Sequence, residues 1–183
     1  MRRFLGGMVI LAAAVSPLGA QVTSGPTVGD PVAPLKVHAV VGPVTDKEVD
    51  YTAERQDKPT LYLFIAKDKW DRPIARFLKE LDQNAPKDSD DVLLVVVWLT
   101  DTPDNTKNYL PVAQQALQLQ HAALTYFHGD DFSPQDWGIN DMAHLTVVVG
   151  HKKKVTSVFG YLSVNETDVA DVRKALRQAI GKE

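Results

Sequence analysis

Three unbroken apolar runs divide the chain: TLYLFIA at residues 60–66, VLLVVVWL at 92–99 and LTVVV at 145–149. Runs of this length without alternation mark strands covered on both faces. Residues 35–41 instead alternate, with Val37, Ala39 and Val41 on one side, as in a half-buried strand, and 49–52 read as a short return strand. Residues 122–127 form a further short strand. Gly150-His151-Lys152-Lys153 makes a tight turn into a strand over 155–162, which predicts an antiparallel hairpin.

Between the strands the apolar period changes from two to nearly four. From Pro73 onward Ile74, Phe77, Leu78 and Leu81 recur at helical spacing, with Arg76, Lys79, Glu80 and Asp82 opposite them. This predicts a helix over 72–83 that starts with Pro73 in its first turn and stops at Asn84-Ala85-Pro86. A second helix is expected over 108–119, with Pro111 limiting where it begins. A third covers 165–180, lined by Val169, Val172, Leu176 and Ile180. Ser163 with Glu166 fits a capping box at its start, and Gly181 stands where it should end. The order is β-rich, then β-α-β-α-(β)-β-β-α. A βαβ unit makes a parallel pair, and the closing hairpin adds antiparallel strands.

The first 20 residues have a different character. Arg2 and Arg3 precede an apolar run from Phe4 to Val15, and Pro17-Leu18-Gly19-Ala20 offers a small-residue cleavage site. This is the layout of an export signal, with an apolar stretch too short to span a bilayer. Cleavage near Ala20 predicts a periplasmic or extracellular protein with no transmembrane segment in the mature chain. Residues 21–34, rich in Gly, Pro, Ser and Thr, read as an extended lead-in, and 35–183 as one domain.

Composition excludes more than it suggests. The chain has 183 residues and a formal charge of −3, which becomes −5 when Arg2 and Arg3 leave with the signal. Mild acidity is unlike the basic face of a nucleic-acid binder. The count of cysteines is zero. That removes disulfides, thiol nucleophiles, thiolate zinc sites and iron–sulfur clusters together. No G-x-S-x-G, G-x-G-x-x-G or G-x-x-x-x-G-K-[ST] occurs, so neither a serine hydrolase nor a nucleotide cofactor has support, and no cofactor is expected. His121 and His128 lie near Asp130 and Asp131, but without H-E-x-x-H or helical i, i+4 spacing, so no metal is expected.

Four segments resemble the exported redoxin branch of the thioredoxin-like superfamily. Val28-Gly29-Asp30-Pro31-Val32-Ala33-Pro34 is similar to a G-x-x-A-P opening, and residues 61–66 to the strand that leads into the active site. Trp70-Asp71-Arg72-Pro73-Ile74 resembles W-C-x-P-C, with Asp71 and Ile74 in place of the two cysteines. Trp137-Gly138-Ile139 through Leu145 resembles Y-G-I-x-x-x-P-T-L, with Ala143 in place of the cis-proline. The resemblance implies an α/β thioredoxin-like fold: a central mixed sheet flanked by helices, with an N-terminal β extension.

The departures decide the activity. Thiol–disulfide exchange needs an attacking thiolate, and peroxide reduction needs a cysteine that becomes a sulfenic acid. The chain is therefore expected to be neither a thiol oxidoreductase nor a peroxiredoxin. The resemblance implies that Trp70, Asp71, Arg72, Pro73 and Ile74, with Lys67, Asp68 and Lys69 before them, face Met142, Ala143 and His144 across the former active-site cleft. Two uses of that cleft are open. One is non-catalytic binding of a protein or peptide, at the cleft or along a sheet edge, with no catalytic residue. The other is an enzyme of replaced chemistry with Asp71 or His144 as acid or base. Asp71 also suits a third, plainer role as the N-cap of the helix that follows.

Overall fold

The computed structural model describes residues 21–66 and 68–182. The export signal expected over residues 1–20 and Lys67 of the expected cleft lie outside the described residues. Seven strands form one mixed sheet: β1 (Lys36–Val41), β2 (Lys47–Asp50), β3 (Thr60–Ile65), β4 (Leu93–Leu99), β5 (Ala122–Phe127), β6 (Leu145–His151) and β7 (Lys154–Tyr161). Their spatial order is β2-β1-β5-β4-β3-β6-β7. As the βαβ unit predicts, β3 and β4 are parallel neighbours, with Thr60 beside Leu93; β5 also runs parallel, on the far side of β4. β6 pairs antiparallel with β3, and β7 closes the hairpin.

Alternate residues of the central strands feed two cores. Leu61, Leu63, Ile65, Leu94, Val96 and Val147 face one side, where they meet α2 (Arg72–Asp88), α3 (Pro103–Leu117) and α4 (Val169–Ile180). Tyr62, Phe64, Val95, Val97 and Val148 face the other, beneath Leu35, Tyr51 and Trp137. Trp137, from the W-G-I segment, is fully buried and packs edge-on to Tyr62 at 5.0 Å between ring centroids. Its Nε1 donates to the Pro34 carbonyl at 3.1 Å, which satisfies the one polar atom of the ring.

The lead-in is part of this second layer. Val22 donates to the Gly160 carbonyl, and Val32 to that of Lys153. Isolated bridges join Gln21 to Tyr161 and Pro31 to Lys154. Between these contacts Ser24 is buried, hydrogen-bonded at 2.6 Å to the Thr146 hydroxyl on β6. The edge strand β7 is thus held at both ends by residues of the same chain. Gly160 makes that approach possible, since a Cβ there would stand 2.2 Å from the Val22 carbonyl oxygen.

Local capping moves several boundaries from where periodicity puts them. The return strand expected over 49–52 is β2, two residues earlier, and Tyr51 instead opens α1 (Tyr51–Arg55). The reason is Asp50, whose carboxylate accepts from the N–H groups of Thr52 and Ala53. α2 runs past Asn84 to Asp88, with Pro86 inside it. In a last turn proline forfeits a single backbone bond, and Asp88 is anchored from α4 by Arg173.

α3 starts at Pro103 rather than Asn108, because Pro103 suits a first turn and Pro111 lies exposed, where the freed carbonyl can turn to solvent. The capping box is made by Asn165 and Asp168, not by Ser163 and Glu166. It starts a 3-10 turn over Glu166–Asp168 that leads into α4. Gly181 ends α4 in the left-handed conformation that the sequence predicts, at φ 73°.

Candidate functional site

β3 and β4 run in the same direction, and both chains leave the sheet at the same end. A crevice beyond the carboxyl ends of parallel strands is where an open α/β sheet can admit a ligand. A groove of about 420 Å³ lies there, bounded by the ends of β3 and β4 and by the first two turns of α3. Its aromatic wall is Trp70, Trp98 and Tyr109.

The three rings hold one another in place. Trp70 and Trp98 lie 5.0 Å apart between centroids, at 57°. Trp70 Nε1 donates to the Tyr109 hydroxyl at 2.7 Å. Trp98 is the buried member at 7% exposed, whereas Tyr109 is 42% exposed. Trp98 is fixed by the parallel register that sets it beside Ile65. Tyr109 comes from the second turn of α3, so its position depends on where that helix begins.

The polar wall is built on Thr100. Its hydroxyl accepts from the Thr102 N–H at 3.0 Å and from the Thr106 hydroxyl at 2.9 Å. Its carbonyl meets His128 Nδ1 at 3.0 Å, and its N–H donates to the Phe127 carbonyl. These bonds tie the end of β4 to the start of α3 and to β5. Asp68 and Asp101 also line the groove. Asp68 takes the left-handed conformation, at φ 58°, that Asp and Asn tolerate better than most residues.

Of the described residues that the sequence proposed for a cleft, the groove takes in Asp68 and Trp70. Asp71 is the N-cap of α2, and its carboxylate accepts from the Ile74 N–H at 2.9 Å. Arg72 and Pro73 are exposed in the first turn of α2, and Ile74 is buried in the helix-side core. Ala143 is also buried, and no cis peptide occurs among the described residues. Ala143 in place of proline accounts for that, since a non-proline residue strongly favours the trans bond. His144 contributes backbone: its N–H donates to Tyr161 and its carbonyl accepts from Ala66. Met142 is 60% exposed beside it. Ala66 accepts from the Lys69 N–H and donates to the His144 carbonyl, but the Trp70 side chain packs on Trp98 of β4 and donates to Tyr109 of α3.

The sequence reading missed Trp98, Thr100, Thr102 and Tyr109. A signal for them existed: a polar turn directly after a doubly buried parallel strand marks the carboxyl end of the sheet. No group of His, Asp or Glu suited to a metal ion occurs among the described residues.

Comparison with known proteins agrees with the architecture. No family model matches the chain, and no curated sequence does. Solved structures do match in shape. A Chlorobium tepidum protein assigned as the thiol:disulfide interchange protein DsbE superposes with a TM-score of 0.63 at 14% identity, covering 85% of this chain and 99% of that one. Peroxidoxin BcpB from Mycobacterium tuberculosis gives 0.60 at 13% identity, over 85% and 98%. A secreted M. tuberculosis disulfide oxidoreductase homologous to E. coli DsbE gives 0.59 at 10%, over 79% and 95%. At such identities the likeness is one of fold. The fold is that of the thioredoxin-like redoxins, and this chain carries it without a cysteine.

Proposed function

We propose that this is an exported, redox-inactive thioredoxin-like protein that binds an extended polypeptide segment in the groove walled by Trp70, Trp98 and Tyr109. The observation that carries the reading is that wall. Three mutually fixed rings border a crevice at the carboxyl ends of β3 and β4, where guest side chains can be desolvated without reorganising the host. The use of Asp71 as a helix cap supports binding over replaced chemistry, because its carboxylate is already engaged by backbone. The sheet edges are poorer candidates. β7 is strapped by the lead-in, and β2 has four residues before the chain turns into α1.

Export is part of the same proposal, with cleavage near Ala20 and a folded domain over 35–183 preceded by the lead-in. Gln21, the first residue after that cleavage point, is bridged to Tyr161, so the mature chain would keep this contact. Likeness in fold to a protein described as secreted points the same way. No helix among the described residues is long and apolar enough to cross a membrane.

Tryptophan fluorescence of the mature chain tests the binding reading directly. Titration with an unfolded, thiol-blocked polypeptide should give a saturable change, and Trp70→Ala should abolish it while circular dichroism stays unchanged. No saturation, or saturation that Trp70→Ala leaves intact, would remove the groove as the site.

A further inference from the structure

The strap over β7 begins with a residue that can close on itself, and this inference rests on the cleavage near Ala20 proposed above. We infer that Gln21, once freed as the first residue, is a modification site: its α-amine cyclises onto its own side-chain amide to give pyroglutamate. The lone pair of the neutral α-amine adds to Cδ, the bond from Cδ to Nε2 breaks, and ammonia leaves with the proton. No oxidant and no co-reactant is consumed. Both reacting groups belong to one residue, so the step is intramolecular and closes a five-membered ring. An ordinary α-amine titrates near about pH 8, so a reactive neutral fraction is present at neutral pH.

The fold leaves Gln21 open to this reaction and loses nothing by it. The residue is exposed and lines a groove of about 340 Å³ with residues 22–26, Val158 and Gly160. Among the described residues, neither its backbone N–H nor its side-chain amide makes a hydrogen bond. The bond that fastens this end of the strap starts one residue on, from the Val22 N–H to the Gly160 carbonyl at 2.9 Å. Ring closure consumes only groups of Gln21 and leaves that N–H in place. Ser24, buried against Thr146, lies further in. The competing fate of a freed terminus is stepwise trimming, because exposed chain ends are where proteolysis concentrates. Loss of Gln21 and Val22 would remove the Gly160 bond and uncover one end of β7, a strand at the edge of the sheet. An exopeptidase that recognises a free α-amine finds none on a lactam. The modification therefore preserves the cover of that edge.

The test uses the full-length chain, exported with its own leader and recovered from the extracytoplasmic fraction. Its intact mass should equal that of residues 21–183 less one ammonia, and tandem mass spectrometry should place the loss in the first residue. Gln21→Asn keeps an amide but could close only a strained four-membered ring, so its mass should be that of the open chain. An aminopeptidase should trim the Gln21→Asn chain and leave the wild type whole. A chain that begins at Gln21 with its full mass, before and after incubation at mildly alkaline pH, would overturn the inference and leave the cleavage reading standing. Trimming of the two chains at equal rates would overturn it as well. Intact Met1, or a start elsewhere, would remove the cleavage at Ala20 and the inference with it.

Discussion

The contact between α2 and α4 turns on Asp88, and replacing it with asparagine isolates charge from shape. The Asp88 carboxylate accepts a two-pronged contact from Arg173, Nε at 2.6 Å and Nη2 at 2.9 Å, and a longer bond from Arg177 at 3.4 Å. Its side chain is 7% exposed, while those of Arg173 and Arg177 are 25% and 33% exposed. Burial alone would raise the carboxyl pKa, but the hydrogen bonds and charge of Arg173, helped by those of Arg177, outweigh it and hold the pKa below the ordinary value.

Asparagine keeps one acceptor and turns an NH₂ group toward the guanidinium. One charge-assisted bond is lost, at about 1.5–3 kcal/mol, and the half-exposed arginines recover part of that from water. The expected loss is about 1–3 kcal/mol near neutral pH. For a chain of this size that lowers Tm by about 2–12 °C.

The same pair makes the loss depend on pH in a defined direction. A carboxyl whose folded pKa is lowered contributes stability in full above the ordinary carboxylate range, and loses it as pH falls through the folded value. The difference between wild type and Asp88→Asn should therefore be full at neutral pH and shrink below about pH 4. Urea unfolding followed by circular dichroism, at neutral pH and at successively lower values, measures it. A difference that stays constant with pH, or stays below about 0.5 kcal/mol throughout, would refute the assignment of Asp88 as an ionised clamp.

Asp82, buried on α2, accepts from the backbone N–H groups of Gln120 and His121 at 2.9 Å each. Asp82→Asn should cost about 2–3 kcal/mol in urea unfolding, because one buried donor then faces another. Gly160→Ala should release the lead-in by forcing apart Gly160 and Val22, read as faster proteolysis within residues 21–25 while the sheet stays folded. Asp71→Ser exchanges one good N-cap for another, so stability should change by no more than about 0.5 kcal/mol and peptide binding should not change; a loss of binding would place Asp71 in the site. The melting temperature should be the same with and without dithiothreitol, since the chain has no cysteine to reduce.

The sequence alone determined the strands and the layers. Residues 60–66, 92–99 and 145–149 are apolar without a gap, and such segments can satisfy both faces only inside a sheet covered on two sides. The helical spacing of Ile74, Phe77 and Leu81, the cap at Asp71 and the stop at Gly181 are equally local, and each is where the pattern puts it. The absence of thiol chemistry needed no structure at all.

Tertiary structure decided which groups meet. Trp70 and Tyr109 are 39 positions apart, and no periodicity records that one donates to the other. Their meeting depends on α3 starting at Pro103, on Trp98 standing beside Ile65, and on the chain turning at Thr100. The same holds for Ser24 against Thr146, 122 positions apart, which turns an unpatterned lead-in into a strap over the edge of the sheet. Hydrophobic pattern encodes how deeply a residue is buried, whereas a site is defined by partners. Partners distant along the chain are chosen by register, crossover and helix start, which are set only when the whole sheet closes.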